Sequence, residues 1–276
     1  MRAYTMQKVI FTDIDGTLLD TYFPDLSKAK KLVEKTTQNG IHLILCSSKT
    51  ELEQNIIRSN IQLYEPFIVE NGGATIIPVG YFKKTKFNHL KKVQNKYIIE
   101  TGGSSFKIRG LLKKIRTKHK INFKGTSDLS IPELLKITKL SEDYAKRMIK
   151  RKYSETIIQI DKKDMPNFVN NVEELGLKVI PGGQYFDITQ GNDKGTAVKI
   201  LMDIFRREYE NNVTFFGIGD SKNDEPMLSL MNFPILVQKA DGSWQNLRIN
   251  NLQKVKGIGP RGWEVALQII LKNNEW

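Results

Sequence analysis

Cysteine and histidine are scarce in this 276-residue chain: one cysteine, Cys46, and three scattered histidines, His42, His89 and His119. A lone cysteine excludes an internal disulfide and any multi-cysteine zinc site, and the histidines form no metal motif. Cysteine-phosphatase chemistry is excluded too, because Leu52 stands where the arginine it requires would be. Cys46 instead reads as a small buried residue at a strand end. No apolar run approaches the length of a membrane span, and the polar N-terminus lacks the apolar core of a signal peptide, so the expected location is cytoplasmic, with no membrane partner. Acids almost vanish from Lys83 to Lys124, where Glu100 stands among many lysines and arginines and much of the formal charge of +13 collects. Such a block attracts polyanions or steers a small anionic substrate. Its aromatics, Phe87, Tyr97, Phe106 and Phe123, form no single-strand stacking module, so no nucleic-acid partner is expected.

What the chain does have is an apolar run, Val9-Ile10-Phe11-Thr12, that delivers two carboxylates into the turn Asp13-Ile14-Asp15-Gly16-Thr17. The spacing sends both side chains from the strand end to one side. Two acids this close, with no histidine nearby, suit a hard cation such as Mg2+, with one free to attack phosphorus and the other to move a proton. A calcium loop is excluded, since the glycine comes too early and no glutamate closes it.

In order along the chain, the pattern predicts a helix over 25–38, a buried strand over 41–45 ending at Cys46-Ser47-Ser48-Lys49-Thr50, and a helix capped by Thr50 and Glu53. This beat begins a parallel sheet with crossovers, whose ligands sit at the carboxyl ends of strands, so Asp13 and Ser47 are expected to face one crevice. A third strand over 67–69 leads through Glu70-Asn71-Gly72-Gly73 into a hairpin. From 83 to 188 the beat is lost, and the segment reads as an inserted α+β domain with helices over 104–118, 132–138, 141–151 and 164–175, strands over 97–100 and 156–160, and a hairpin turning at Pro181-Gly182-Gly183. The core is then 1–82 and 189–276. The beat returns at Gly191-Asn192-Asp193-Lys194, opening a helix that lacks the spacing of a P-loop. A strand over 213–218 empties into Gly219-Asp220-Ser221-Lys222-Asn223-Asp224, a last strand covers 233–237, and a helix over 262–272 closes the chain.

Four pieces thus converge on the needs of phosphoryl transfer, in which charge spreads over three oxygens. Lys194 offsets that charge and keeps Asp13 ionised. Ser47 donates to a phosphoryl oxygen. Asp220, with Asp224 behind it, completes an oxygen cage for Mg2+ with Asp13 and the backbone carbonyl of Asp15.

These four pieces, in this order, resemble the motifs of the haloacid dehalogenase (HAD) superfamily. The resemblance implies an α/β Rossmannoid core with the insert as a C2-type cap; it also implies that Asp13 becomes an aspartyl-phosphate while Asp15 protonates the leaving alcohol and then activates water. More closely, Ser47-Ser48-Lys49-Thr50, Glu70-Asn71-Gly72-Gly73, Arg151 to Glu155, Gly182-Gly183, Gly191 to Gly195 and Gly259-Pro260-Arg261-Gly262-Trp263 resemble the mannosyl-3-phosphoglycerate phosphatase family. That implies a phosphorylated glycoside held between core and cap by Ser48, Lys49, Asn71, Gly72, Gly73, Ser154, Gly182, Gly183, Gln184, Asn192 and Asn223, with Arg151 on its carboxylate and Glu155 on sugar hydroxyls. Gln184 and Asp187 depart from the arginine and histidine usual there, which keeps a glucosyl substrate open beside the mannosyl one. Two alternatives also stay open: a phosphotransferase or mutase of the same fold, and a basic binding protein with a vestigial site.

Overall fold

Uninterrupted apolar strands require cover on both faces. The computed structural model describes residues 6–20, 25–87 and 90–272, and within it β1 (Gln7–Thr12) is buried from Val9 onward. The chain continues through α1 (Leu26–Gln38), β2 (His42–Cys46), α2 (Glu51–Asn60), β3 (Phe67–Val69), β4 (Ala74–Pro78), β5 (Lys91–Val93) and β6 (Lys96–Glu100). Next come α3 (Ser105–His119), β7 (Phe123–Gly125), α4 (Ile131–Thr138), α5 (Glu142–Met148), β8 (Ser154–Ile160), α6 (Met165–Glu174), β9 (Lys178–Pro181) and β10 (Phe186–Thr189). It closes with α7 (Lys194–Glu208), β11 (Val213–Gly219), α8 (Glu225–Leu228), β12 (Phe233–Gln238), β13 (Gln253–Ile258) and α9 (Pro260–Lys272).

A nine-stranded sheet runs β13-β12-β11-β1-β2-β3-β4-β6-β5. It is parallel from β13 to β3, and antiparallel from β3 to β5. Strand alternation divides its core. Ile10, Leu43, Leu45, Ile218 and Ile235 pack beneath α1 and α9, while Val9, Phe11, Ile44, Cys46, Phe215 and Leu236 face α7 and α8. Burial pushes the Cys46 thiol up, consistent with an inert core residue. β1 is flanked by β11 and β2, so the strand order reverses at the strand that leads into Asp13.

A second, four-stranded antiparallel sheet runs β7-β8-β10-β9. Ile157 and Ile188 turn to one face, beneath α3 and α6. Ile158 turns to the other with Leu134, Ala145 and Met148 of α4 and α5. α5 also packs on α2 of the large sheet's own layer.

The observed elements depart from the sequence reading in several places. β5 and β6 extend the large sheet through Glu100, so the change of sheet comes near Thr101 and not at Lys83. The physical reason is that β6 pairs all along β4, from Ala74↔Glu100 to Pro78↔Lys96, a contact invisible in local composition. A further parallel strand, β13, lies outside β12. The helix expected over 141–151 ends at Met148, which leaves Arg151 in the irregular link before β8.

α9 is anchored by Trp263, which is fully buried and donates from Nε1 to Thr12 Oγ1 at 2.9 Å. That bond joins the closing helix to the residue before Asp13. Trp263→Ala is expected to cost about 3–5 kcal/mol of stability in urea unfolding, from the cavity and the lost hydrogen bond.

Candidate active site

Asp13 sits just past the end of β1, where its backbone N–H donates to Ile218 O at 3.0 Å and its side chain is almost entirely enclosed. Lys194, the first residue of α7, reaches it through the core. Asp193 caps that helix by accepting from Thr196 N at 3.0 Å, which fixes where the lysine leaves the backbone. Lys194 Nζ is 2.5 Å from Asp13 Oδ1 and 2.7 Å from Asp224 Oδ1, and its side chain is wholly buried. Burial by itself would lower this ammonium's pKa, but the two carboxylates more than offset that and hold it above the ordinary lysine value.

The loop after β11 supplies the rest. Asp224 Oδ2 accepts from the backbone N–H groups of Asp220 at 3.0 Å and Ser221 at 3.1 Å, so it organises the turn from behind. Asp220 faces forward and accepts from Thr17 Oγ1 at 3.2 Å. One oxygen from each of Asp13, Asp220 and Asp224 lies within 4.8 Å of the others. Burial and mutual repulsion push the Asp220 carboxyl up to about 7, and burial raises Asp13 as well. A crowded set of hard oxygen donors that destabilise one another's charge is what a divalent cation neutralises, so the cluster fits such an ion.

Ser47 and the loop after it complete the floor. Ser47 Oγ accepts from Lys49 N at 3.2 Å, which leaves its own proton free to donate. Lys49 Nζ is 2.8 Å from Asp15 Oδ2. Arg151 donates to Ser48 O and to Ser154 Oγ, each at 3.0 Å, and lies 3.6 Å from Asp187. Asn71, in a left-handed conformation at φ 53°, donates to Asp187 Oδ2 at 2.8 Å. Gly72, at φ 84°, passes so close to Asp193 that a Cβ would stand 2.0 Å from its carbonyl oxygen. Asn192 holds the same turn from below, donating to the carbonyls of Glu70 and Asn71, while Asn223 accepts from Ser221 Oγ at 2.7 Å.

Not every residue expected at the site is there. Glu155 is enclosed on the opposite face of β8, where Arg109 Nε donates to it at 2.6 Å along with Thr126 and Ser127. The cause is strand alternation: its neighbours Ser154 and Thr156 face the core, so Glu155 turns toward α3. The sugar-contact expectation for Glu155 is therefore corrected to a buried ion pair. Gly182, Gly183 and Gln184 are exposed in the β9–β10 turn, at the end of that hairpin away from the Lys178–Asp193 bridge, about 10 Å further along the strands. The structure does not bring these three to the carboxylate cluster.

Sequence reasoning missed Glu70, Thr156 and Tyr144. Glu70 is buried and accepts from Tyr153 N at 2.9 Å and Ser154 Oγ at 2.7 Å, binding the 151–154 segment to the core. Thr156 donates to Asp187 Oδ1 at 2.5 Å. The alternation of β8, once its inward side was known, was the only signal for Thr156. Tyr144 carried none.

The family model for haloacid dehalogenase-like hydrolases matches residues 10–247, from β1 past the Asp220–Asp224 loop. The chain belongs to this family. This HAD-like hydrolase is 36% identical over 272 residues to a glucosyl-3-phosphoglycerate/mannosyl-3-phosphoglycerate phosphatase of Methanococcoides burtonii, covering 98% of this chain and 99% of the relative. It is 33% identical to a mannosyl-3-phosphoglycerate phosphatase of Pyrococcus horikoshii, over 91% of this chain and 97% of the other. Among solved structures, a Thermoplasma acidophilum protein aligns with TM-score 0.66 at 17% identity, covering 96% of this chain and 99% of that one. A HAD subclass IIB sugar phosphatase aligns at 0.62 and 15%, with the same coverage. These two likenesses place the fold of the HAD-like hydrolase.

The raised Asp220 carboxyl gives a testable sign. Its folded value, about 7, lies above its ordinary 3.8, so the folded state holds a proton that the unfolded state has lost, and stability falls as pH rises through that window. With divalent ions chelated, Asp220→Asn is expected to remove part of the loss of thermal stability between about pH 4 and pH 7. An unchanged pH slope in the variant contradicts the assignment.

Proposed function

We propose that this chain is a Mg2+-dependent phosphatase that hydrolyses mannosyl-3-phosphoglycerate to mannosylglycerate and phosphate, with glucosyl-3-phosphoglycerate as the second substrate. The observation that carries this reading is the buried Lys194 joining Asp13 to Asp224, in a chain 36% identical over almost its whole length to a phosphatase named for both compounds. In this reading the four-stranded unit, from about Thr101 to Thr189, is the cap, and the reaction takes place in the cytoplasm.

Catalysis needs a nucleophile, an acid–base group and positive charge. Asp13 attacks phosphorus while the bond to the glycerate oxygen breaks, and Asp15 gives that oxygen its proton. Water then attacks the phosphorus of the aspartyl-phosphate, its proton passes to Asp15, and the bond to Asp13 breaks. Lys194 sets a positive charge against Asp13 that offsets part of the rise burial gives its carboxyl and, with the Ser47 hydroxyl, stabilises the charge on the phosphoryl oxygens. Asp13, Asp220 and the Asp15 carbonyl would hold Mg2+, which supplies the remaining positive charge.

The second half of the substrate is anionic and hydroxyl-rich. The boundary between the two units is polar: Ser48 and Lys49 are partly exposed there, beside the buried Asn71, Arg151, Ser154, Thr156 and Asp187. Asp187 replaces the histidine usual in the family and is raised by burial, with Arg151 beside it acting the other way. That change of charge on the cap floor supports acceptance of more than one sugar.

Phosphate release from the mannosyl and glucosyl compounds and from free 3-phosphoglycerate tests this directly. Turnover is expected for the two glycosides, poorly for 3-phosphoglycerate, and not in EDTA. Asp13→Asn should abolish it, and Asp15→Asn should lower kcat by about 10²–10⁴-fold. No turnover of either glycoside overturns the substrate assignment; an active Asp13→Asn overturns the nucleophile.

A further inference from the structure

Lys49 was expected to contact substrate, yet in the structure its ammonium is held by the protein at two points. One is Asp15, at 2.8 Å. The other is the hydroxyl of Tyr144, to which Nζ donates, with the ring centre 5.1 Å away. Tyr144 lies on α5 and belongs to the four-stranded unit, whereas Lys49 and Asp15 belong to the core. The contact sits where the two units meet most directly: α5 packs on α2, and Thr50, the residue that caps α2, donates from Oγ1 to Arg147 O at 3.3 Å.

A lysine side chain is a flexible stem, and holding its ammonium in one place costs rotamer freedom unless something fixes the far end. Asp15 cannot do this alone, since its side chain is 43% exposed. The Lys49 side chain, by contrast, is only 11% exposed, with the Tyr144 hydroxyl as its second partner. Among the described residues Lys49 is also the ion-pair partner of Asp15. Whatever fixes the ammonium therefore fixes the carboxylate.

We propose that Tyr144 is a positioning residue: from the inserted unit it anchors the Lys49 ammonium, and through it sets the Asp15 carboxylate, so that this group is in place only when the insert is seated on the core. The inference rests on the reading of Asp15 as the acid–base group, and does not depend on which phosphate ester is the substrate. A positioning residue acts on turnover more than on binding, and it acts through its neighbour. Losing one hydrogen bond to a charged group corresponds to about a tenfold effect.

The experiment is a double-mutant cycle on Tyr144→Phe and Lys49→Met, with kcat and KM measured on p-nitrophenyl phosphate and on mannosyl-3-phosphoglycerate. Tyr144→Phe keeps the ring and is expected to lower kcat about tenfold with KM within about twofold, at an unchanged thermal midpoint. The double variant should be no slower than Lys49→Met alone, because the tyrosine acts through the lysine. Effects that multiply, a change confined to KM, or an unchanged kcat in Tyr144→Phe overturn the proposal. Should Lys49→Met fail to fold, the split between kcat and KM in Tyr144→Phe decides by itself. Turnover of p-nitrophenyl phosphate without turnover of the glycoside refutes the substrate assignment and leaves the cycle readable; turnover of neither ester refutes both.

Discussion

The rest of the site depends on one buried ammonium. Lys194 lies with its side chain out of solvent, a position an unpaired charge could not hold. Asp13 and Asp224 are its compensation, and they come from strand ends 211 residues apart in sequence, brought side by side because β1 and β11 are neighbours in register. Breaking such a buried arrangement by removing one partner costs about 3–5 kcal/mol. The same arrangement keeps three carboxylate oxygens close enough to share a cation. Stability and chemistry are therefore tied to the same three side chains, and the sheet's parallel register is what places them.

The contact between the two units follows a different rule. Glu70, Asn71 and Gly72 occupy three successive left-handed positions, which turn the β3–β4 hairpin sharply enough for Glu70 and Asn71 to reach the 151–154 segment and Asp187. Arg151 answers them from the other side through Ser48 O. These contacts are hydrogen bonds and ion pairs, and beside them Tyr153 of the same segment packs into the apolar core of the large sheet.

How much of this could be read from the chain depended on how local each feature was. The turn at Asp13 to Thr17, Ser47, Lys194 and the Asp220–Asp224 loop each follow a short buried strand or open a capped helix, so a window of a few residues reveals them. β5 and β6 were assigned to the insert because their composition is basic, while their place in the large sheet is set by pairing with β4, far outside any such window. β13 was missed because only Val255 of its residues is buried, as an edge strand permits. Glu155 was assigned to the wrong face because the sequence shows that residues of β8 alternate but not which set faces the core. Only the bonds of Ser154 decide that, its hydroxyl donating to Glu70 and accepting from Arg151.

Asp13 and Asp15 are one residue apart, chemically identical and assigned opposite tasks, and their surroundings account for the difference. Asp13 is 5% exposed and faces Lys194, so it is shielded from water beside a positive charge that acts against the rise burial gives its carboxyl, a setting that suits the proposed nucleophile while an activated phosphoryl group is near. Asp15 lies beyond it in the turn, with its side chain 43% exposed and a second lysine, Lys49, at its outer oxygen. A group that must hand a proton to a departing alcohol and then take one from water has to be reachable from the solvent side. The Gly16–Leu19 bond closes the turn directly after Asp15 and holds that outward position. In the proposed reaction one strand end thus presents a dry carboxylate to phosphorus and a wet one to the leaving group, each paired with its own lysine.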